Sequence, residues 1–227
     1  MKRFYKQVSV TPDRGIALDG RPVRTPGRAP LLAPTRALAF ALAAEWAAQG
    51  EEIDPRAMRF TGFANAAIDR VAPDPESFAR GLSVYGESDL LCYRAENPDP
   101  LIRRQAEAWD PLLDWAAARY DVAFTVTAGI VHRAQPPATL ERLAAATAAR
   151  DAFALAGLSP LVTISGSLVA ALAVAEGAMA PDAVWSATIV DELWQAEFWG
   201  EDTLATQAMA ARREDFLAAA EYLRLLR

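Results

Sequence analysis

Apolar and polar positions alternate along the N-terminal segment and then switch to a helical period. Phe4-Tyr5-Lys6-Gln7-Val8-Ser9-Val10 reads as a strand, and Gly15-Ile16-Ala17-Leu18-Asp19-Gly20 as a second strand running into a turn. Arg21-Pro22-Val23-Arg24-Thr25 follows as a third, with Pro30-Leu31-Leu32-Ala33 as a short fourth. So small a sheet leaves one apolar face open and needs a covering helix. Thr35 to Gln49 predicts that helix: Leu38, Leu42 and Trp46 fall at i, i+4 and i+8, Gly50 sits at its C-terminal side, and the Trp46 ring is expected to pack on the sheet.

From about residue 60 onward the period is that of helix after helix. Asp74-Pro75, Asp110-Pro111 and Ser159-Pro160 each set a capping side chain before a Pro suited to the first helical position, while Gly157, Gly177 and Gly200 read as stops. Helices are predicted over 75–92, 100–119, 138–155, 160–176, 181–199 and 203–225. Phe124-Thr125-Val126-Thr127 reads as a short strand that either extends the N-terminal sheet or forms a hairpin with Ile130-Val131. Leu161 to Ala175 is the most apolar run, but it is shorter than a span and contains Thr163, Ser165, Gly166 and Ser167, so it reads as buried core helix and not as a membrane insertion. The expected fold class is α+β: a small N-terminal antiparallel sheet domain with a covering helix over residues 1–60, then a mainly α-helical domain over 61–227.

Composition narrows the function classes. With 227 residues, 52% of them hydrophobic and 23% charged, the chain is long enough to bury a core without a staple. A net charge of -6 argues against nucleic acid as partner. Cys92 is the only cysteine and reads as a buried, inert thiol in a reducing compartment. Phe4-Tyr5-Lys6-Gln7 stands where a secretory signal would be apolar, and no acid-free, Arg-rich transit segment is present, so a bacterial cytoplasmic location is expected.

The usual catalytic constellations are missing. His132 is the only histidine, so a nucleophilic site would need it together with Ser167 or Cys92; neither lies in a nucleophile elbow, and His132 reads as a surface or structural imidazole. One His and one Cys cannot furnish the usual zinc ligands, and no Walker A loop or GxGxxG turn exists, so no metal, cofactor or catalytic residue is expected. Glu87 and Asp89, with Arg94 nearby, read as ion pairs or helix caps. Asn65, Asp69 and Arg70 read as an internal polar network linking the two domains, and Gly166 and Ser167 as a close approach of helices.

The segment Asp191-Glu192-Leu193-Trp194-Gln195-Ala196-Glu197-Phe198-Trp199-Gly200-Glu201-Asp202 carries five carboxylates and three aromatic rings with no Lys, Arg or His. Rings are normally withdrawn from water and unpaired carboxylates stay in it, so this mixture suggests a surface made to meet another protein that supplies Arg and apolar area. An enzymatic alternative uses the same residues. On a helix Glu197 and Glu201 are i, i+4 neighbours whose repulsion raises one pKa, as in a two-carboxylate hydrolase, although Gly200 interrupts that geometry.

Eight blocks run from end to end: Arg3-Phe4-Tyr5-Lys6; Leu18-Asp19-Gly20-Arg21-Pro22-Val23-Arg24-Thr25-Pro26; Ala44-Glu45-Trp46; Ala64-Asn65-Ala66-Ala67-Ile68-Asp69-Arg70-Val71; Glu87-Ser88-Asp89-Leu90-Leu91-Cys92-Tyr93-Arg94; Trp109-Asp110-Pro111-Leu112-Leu113; Ser165-Gly166-Ser167-Leu168; and Gln195 to Asp202. In order and spacing they resemble the chaperone family that assembles the F-type ATP synthase and handles the alpha subunit of its catalytic head, known in animals as ATP synthase complex assembly factor two. Ala66 departs from the family, which usually has Thr there. The resemblance implies a non-enzymatic holder, with an α+β N-terminal and a helical C-terminal domain, that binds newly made alpha subunit until the beta subunit replaces it. Eukaryotic relatives would sit in the mitochondrial matrix, and a monomer is expected. The acidic residue of the family's Gln-x-Glu-x-Trp-Gly block is important for function and falls on Glu197. The implied partner-binding set is therefore Glu197 with Gln195, Trp194, Trp199, Glu201 and Asp202. Two readings of Glu197 stand: direct contact with the client, or an ion pair with an Arg of its own chain.

Overall fold

The computed structural model describes every residue except Glu201, and the backbone but not the side chain of Trp199. The chain opens with strands β1 (Val8–Val10), β2 (Ile16–Leu18) and β3 (Arg21–Pro22), followed by helices α1 (Arg36–Ala47) and α2 (Arg59–Ala66). Helix α3 (Pro75–Ser83), strand β4 (Tyr93–Arg94), helix α4 (Asp99–Tyr120) and strand β5 (Thr127–Ala128) come next. Helices α5 (Pro137–Ala148), α6 (Ala152–Ser165), α7 (Leu168–Glu176), α8 (Pro181–Thr188), α9 (Val190–Trp199) and α10 (Thr203–Leu225) complete it. The α+β expectation holds. The chain forms two compact units. One is Met1–Pro75 with Asp151–Gly157 and Glu221–Arg227; the other is Glu76–Arg150 with Leu158–Ala220.

In the first unit β1, β2 and β3 make an antiparallel sheet in that order, with Val8 opposite Leu18, Val10 opposite Ile16, and Leu18 opposite Arg21. Asp19 and Gly20 both have positive φ, which a two-residue hairpin turn requires, and the Asp19 carboxylate pins the approach to β1 by accepting from the Lys6 and Gln7 amides. Leu38 and Leu42 of α1 are fully buried in the core with Ile16, Leu31 and Tyr222, and the Trp46 ring lies edge-on to Tyr5. Helix α2 has no capping side chain of its own. Glu45 of α1 substitutes, accepting from Phe60 N at 2.7 Å and from both Thr61 N and Thr61 Oγ1 at 2.8 Å. Asp69, in the π-helical turn after α2, accepts from Thr25 Oγ1 at 2.6 Å and Gly27 N at 2.7 Å, so part of the polar set read from the sequence ties a loop to the helix behind it.

Two chain returns complete this unit. Thr35 Oγ1 accepts from Leu38 N and donates to Leu225 O, and Phe60 and Phe63 pack on the Tyr222 ring. Gly157 does not stop a helix as its position suggested. It lies inside α6, where a Cβ would come within 2.8 Å of Leu223 and Tyr222, so it permits a close helix approach. Among the described residues the buried Tyr222 hydroxyl has no hydrogen-bond partner. Tyr222→Phe is therefore expected to hold or raise stability, by about 1 kcal/mol, because it removes a desolvated polar group and keeps the ring. Urea denaturation checks this; a clear loss of stability would mean that the hydroxyl is satisfied.

In the second unit the apolar run becomes the end of α6 and all of α7, whose residues Leu168 to Ala175 are buried and packed by α4 and α8. No helix among the described residues is long and apolar enough to cross a membrane. Several sequence expectations are corrected here. Pro111 and Pro160 lie inside α4 and α6 instead of starting helices; burial of Leu155, Leu158, Leu161 and Val162 along α6, about 1.5–3 kcal/mol each, outweighs a proline's cost of about 3 kcal/mol. The helix read over 75–92 ends at Ser83, and the one over 138–155 breaks before Asp151, whose carboxylate accepts from Ala154 N. The strand near residue 125 joins neither the N-terminal sheet nor a hairpin: β5 pairs parallel with β4, and the Gln135 amide takes both backbone groups of Thr125. Gly166 and Ser167 form a junction between helices, Gly166 with φ +67° and Ser167 as the N-cap of α7. Asp89 takes the capping role, and Arg94 pairs with Asp110 at 2.7 Å.

Candidate functional site

The acid-and-aromatic segment forms all but the first residue of α9 and ends on Asp202, the residue before α10. Upstream, the helix read as continuous over 181–199 breaks at Ile189 into α8 and α9. Near the break the buried Trp109 indole donates from Nε1 to Ala187 O at 2.6 Å, so a carbonyl in the last turn of α8 has a donor from outside its own helix. Downstream, Gly200 has φ +85° and ends α9, and Asp202 caps α10 by accepting from Leu204 N at 2.8 Å.

Local sequence gave these carboxylates no cation, but the fold supplies cations and donors from elsewhere. Asp191 accepts from Gln105 Nε2 at 2.7 Å. Glu192 accepts from Arg212 Nη1 through both oxygens, at 3.0 and 3.1 Å. Glu197 Oε1 accepts from Arg104 Nη1 at 2.8 Å, and this hydrogen bond holds its carboxyl below the usual range. The shift runs opposite to the one a general acid needs, so it gives the two-carboxylate reading no support. Glu201, the other member of that pair, lies outside the described residues, as does the Trp199 side chain.

On α9 the i, i+3 and i+4 rows bring Leu193, Trp194, Glu197 and Phe198 to adjacent positions. The Trp194 and Phe198 rings stack at 4.6 Å, and the Arg104 guanidinium lies 5.1 Å from the indole centre. Phe198 is 64% exposed, Leu193 41% and, across the turn, Leu204 75%. Gln195 and Asp202 are exposed as well. The structure thus gathers Trp194 and Glu197 into one patch and gives Asp202 a helix-capping bond. The implied partner-binding set left out Phe198 and Leu193, although both lie in the segment read as a surface, and Leu204 falls just beyond that segment. Sequence reasoning also missed Arg104, which no local pattern connects to α9.

The other candidates are structural. Cys92 is buried, which pushes its thiol up to about 12, so no thiolate is available near neutral pH. His132 is exposed, with Nδ1 3.0 Å from the Tyr93 hydroxyl. No group of three or more His, Cys, Asp or Glu that could hold a metal occurs among the described residues.

On α9 the exposed Phe198 and Leu193 thus share a face with the Trp194 ring and the Glu197 carboxylate. The family model for the ATP12 chaperone protein matches residues 2–117, ending within α4. Over the whole chain the fold is similar to the crystal structure of Atp12 from Paracoccus denitrificans, with 42% identity and a TM-score of 0.95, covering 100% of this chain and 98% of that one. A candidate chaperone from Agrobacterium tumefaciens is similar as well, with 40% identity and a TM-score of 0.93, covering 100% of this chain and 86% of that one. The chain belongs to the ATP12 chaperone family, and its role is that of a chaperone.

Proposed function

We propose that this chain holds the unassembled alpha subunit of the F-type ATP synthase head in the bacterial cytoplasm, and that the face built by α9 and the start of α10 makes the contact. The carrying observation is the exposed Leu193 and Phe198 on the α9 face of Trp194 and Glu197, with Leu204 also exposed at the start of α10, in a member of a chaperone family. A ring subunit without its neighbours exposes a large, partly apolar interface, and such surfaces aggregate unless covered. A cover of moderate affinity is enough, because the permanent partner then displaces it. Carboxylates around the rings keep the free chaperone from self-association and select a basic rim on the client.

The test is suppression of alpha-subunit aggregation, followed by light scattering without nucleotide. Glu197→Gln and Phe198→Ala are each expected to fold normally and to weaken protection by about tenfold, or ~1.4 kcal/mol. Undiminished protection by both would sink the assignment of this face. Co-elution with isolated alpha subunit, and not with isolated beta subunit, is the matching check on the client.

A further inference from the structure

Arg104 occupies the place that an arginine of a partner would take. Its Nη1 donates to Glu197 Oε1 at 2.8 Å, its guanidinium carbon lies 5.1 Å from the Trp194 ring centre, and Phe198 packs against the indole at 4.6 Å. A carboxylate and an aromatic face converging on one planar cation is a geometry suited to arginine, which can bond in the plane and stack across it; lysine, a point charge, uses less of it. The occupant is weakly held. The Arg104 and Glu197 side chains are 44% and 52% exposed, and a pair so solvated is easily exchanged. Glu107, one turn further along α4, also attracts Arg104 and offers the displaced guanidinium a second carboxylate.

We propose that Glu197 and Trp194, backed by Phe198, form an arginine-binding cage which Arg104 fills in the free chain, and that an arginine side chain of the client displaces Arg104 on binding. This rests on the reading of α9 as the client face. One guanidinium replaces another, but the client pair is desolvated by the apolar contacts of Leu193 and Phe198 and so outweighs the exposed Arg104–Glu197 pair it displaces, while the cage selects where an arginine must stand. A stray cation without apolar area gains too little to evict Arg104. When the permanent partner covers the client surface, Arg104 closes the cage again, so the exchange runs in reverse without a nucleotide.

The decisive variant is Arg104→Gln, which empties the cage at an exposed position. It is expected to bind isolated alpha subunit about threefold to fivefold more tightly than the wild-type chain, the size set by a surface ion pair. Arg104→Gln combined with Glu197→Gln should show no such gain over Glu197→Gln alone. Unchanged or weaker binding by Arg104→Gln would overturn the proposal, since Arg104 would then be part of the contact or irrelevant to it. A second measurement needs no client. Titrating Arg104→Gln with N-acetyl-arginine amide should shift the Trp194 indole N–H resonance saturably, N-acetyl-lysine amide should shift it less, and the added Glu197→Gln change should abolish the difference. Equal responses to the two amides, or none to either, would overturn the cage. If alpha subunit binds neither protein while the arginine response holds, the client assignment fails and the cage stands.

Discussion

Trp109→Ala is expected to lower the unfolding free energy by about 3–5 kcal/mol, the largest effect of any single change considered. The indole is 1% exposed, its Nε1 donates to Ala187 O at 2.6 Å, and the Arg94 guanidinium lies 5.1 Å from its centre. Truncation removes buried area and leaves a cavity. It also leaves the Ala187 carbonyl without its indole donor. Trp109→Phe separates these terms: it keeps most of the area and forfeits only the N–H, for about 1–2 kcal/mol. Urea midpoints of the two variants are the measurement. Equal losses would show that the indole N–H and not packing dominates.

Asp89→Ala is expected to cost about 2–4 kcal/mol. The side chain is fully buried and accepts from Leu91 N at 3.1 Å and Val169 N at 3.0 Å, so one carboxyl closes a tight turn and caps α7. Burial pushes its pKa from 3.8 up to about 6, against the opposing pull of the Ser167 hydroxyl and nearby backbone amides. The folded chain therefore keeps a proton that the unfolded chain gives up between those two values. This group's contribution falls as pH rises through that window and is regained on acidification, by ~1.4 kcal/mol between pH 7 and 5 and by ~3 kcal/mol in all once the pH is below 3.8. Asp89→Asn retains an acceptor and cannot ionise, so its stability should lack this component. Denaturation of both proteins at the two pH values tests the sign: a wild type that gains nothing over Asp89→Asn on acidification would mean the carboxylate stays ionised throughout.

These two residues act on the same architecture that gives the chaperone its surface. Both are buried, yet Trp109 bonds the last turn of α8 and Asp89 holds α7, on which α4 and α8 pack. Mutations that abolish holding should thus separate into two kinds. Changes at Glu197 or Phe198 leave the urea midpoint in place, whereas changes at Trp109 or Asp89 move it.

What the sequence determined by itself was whatever depends on neighbours a few residues apart. The Asp19-Gly20 turn follows from residues tolerant of positive φ, the burial of Leu38 and Leu42 from helical spacing, and the ends of α7 and α9 from Gly177 and Gly200. The density of acid and aromatic groups around Glu197 was legible for the same reason, since composition along a short segment needs no fold. Only the tertiary structure decided the rest. Gly157 and Pro160 looked like punctuation because local propensity is worth one to about three kcal/mol, and burial along α6 exceeds it. Glu45 caps a helix it does not belong to, Trp109 donates to a carbonyl of another helix, and Arg104 and Arg212 reach carboxylates that have no cation in their own stretch of chain. Each of these links joins residues remote in sequence through one hydrogen bond or ion pair. Such a link leaves no periodicity to read, because the energy that selects it is realised only once the chain has closed.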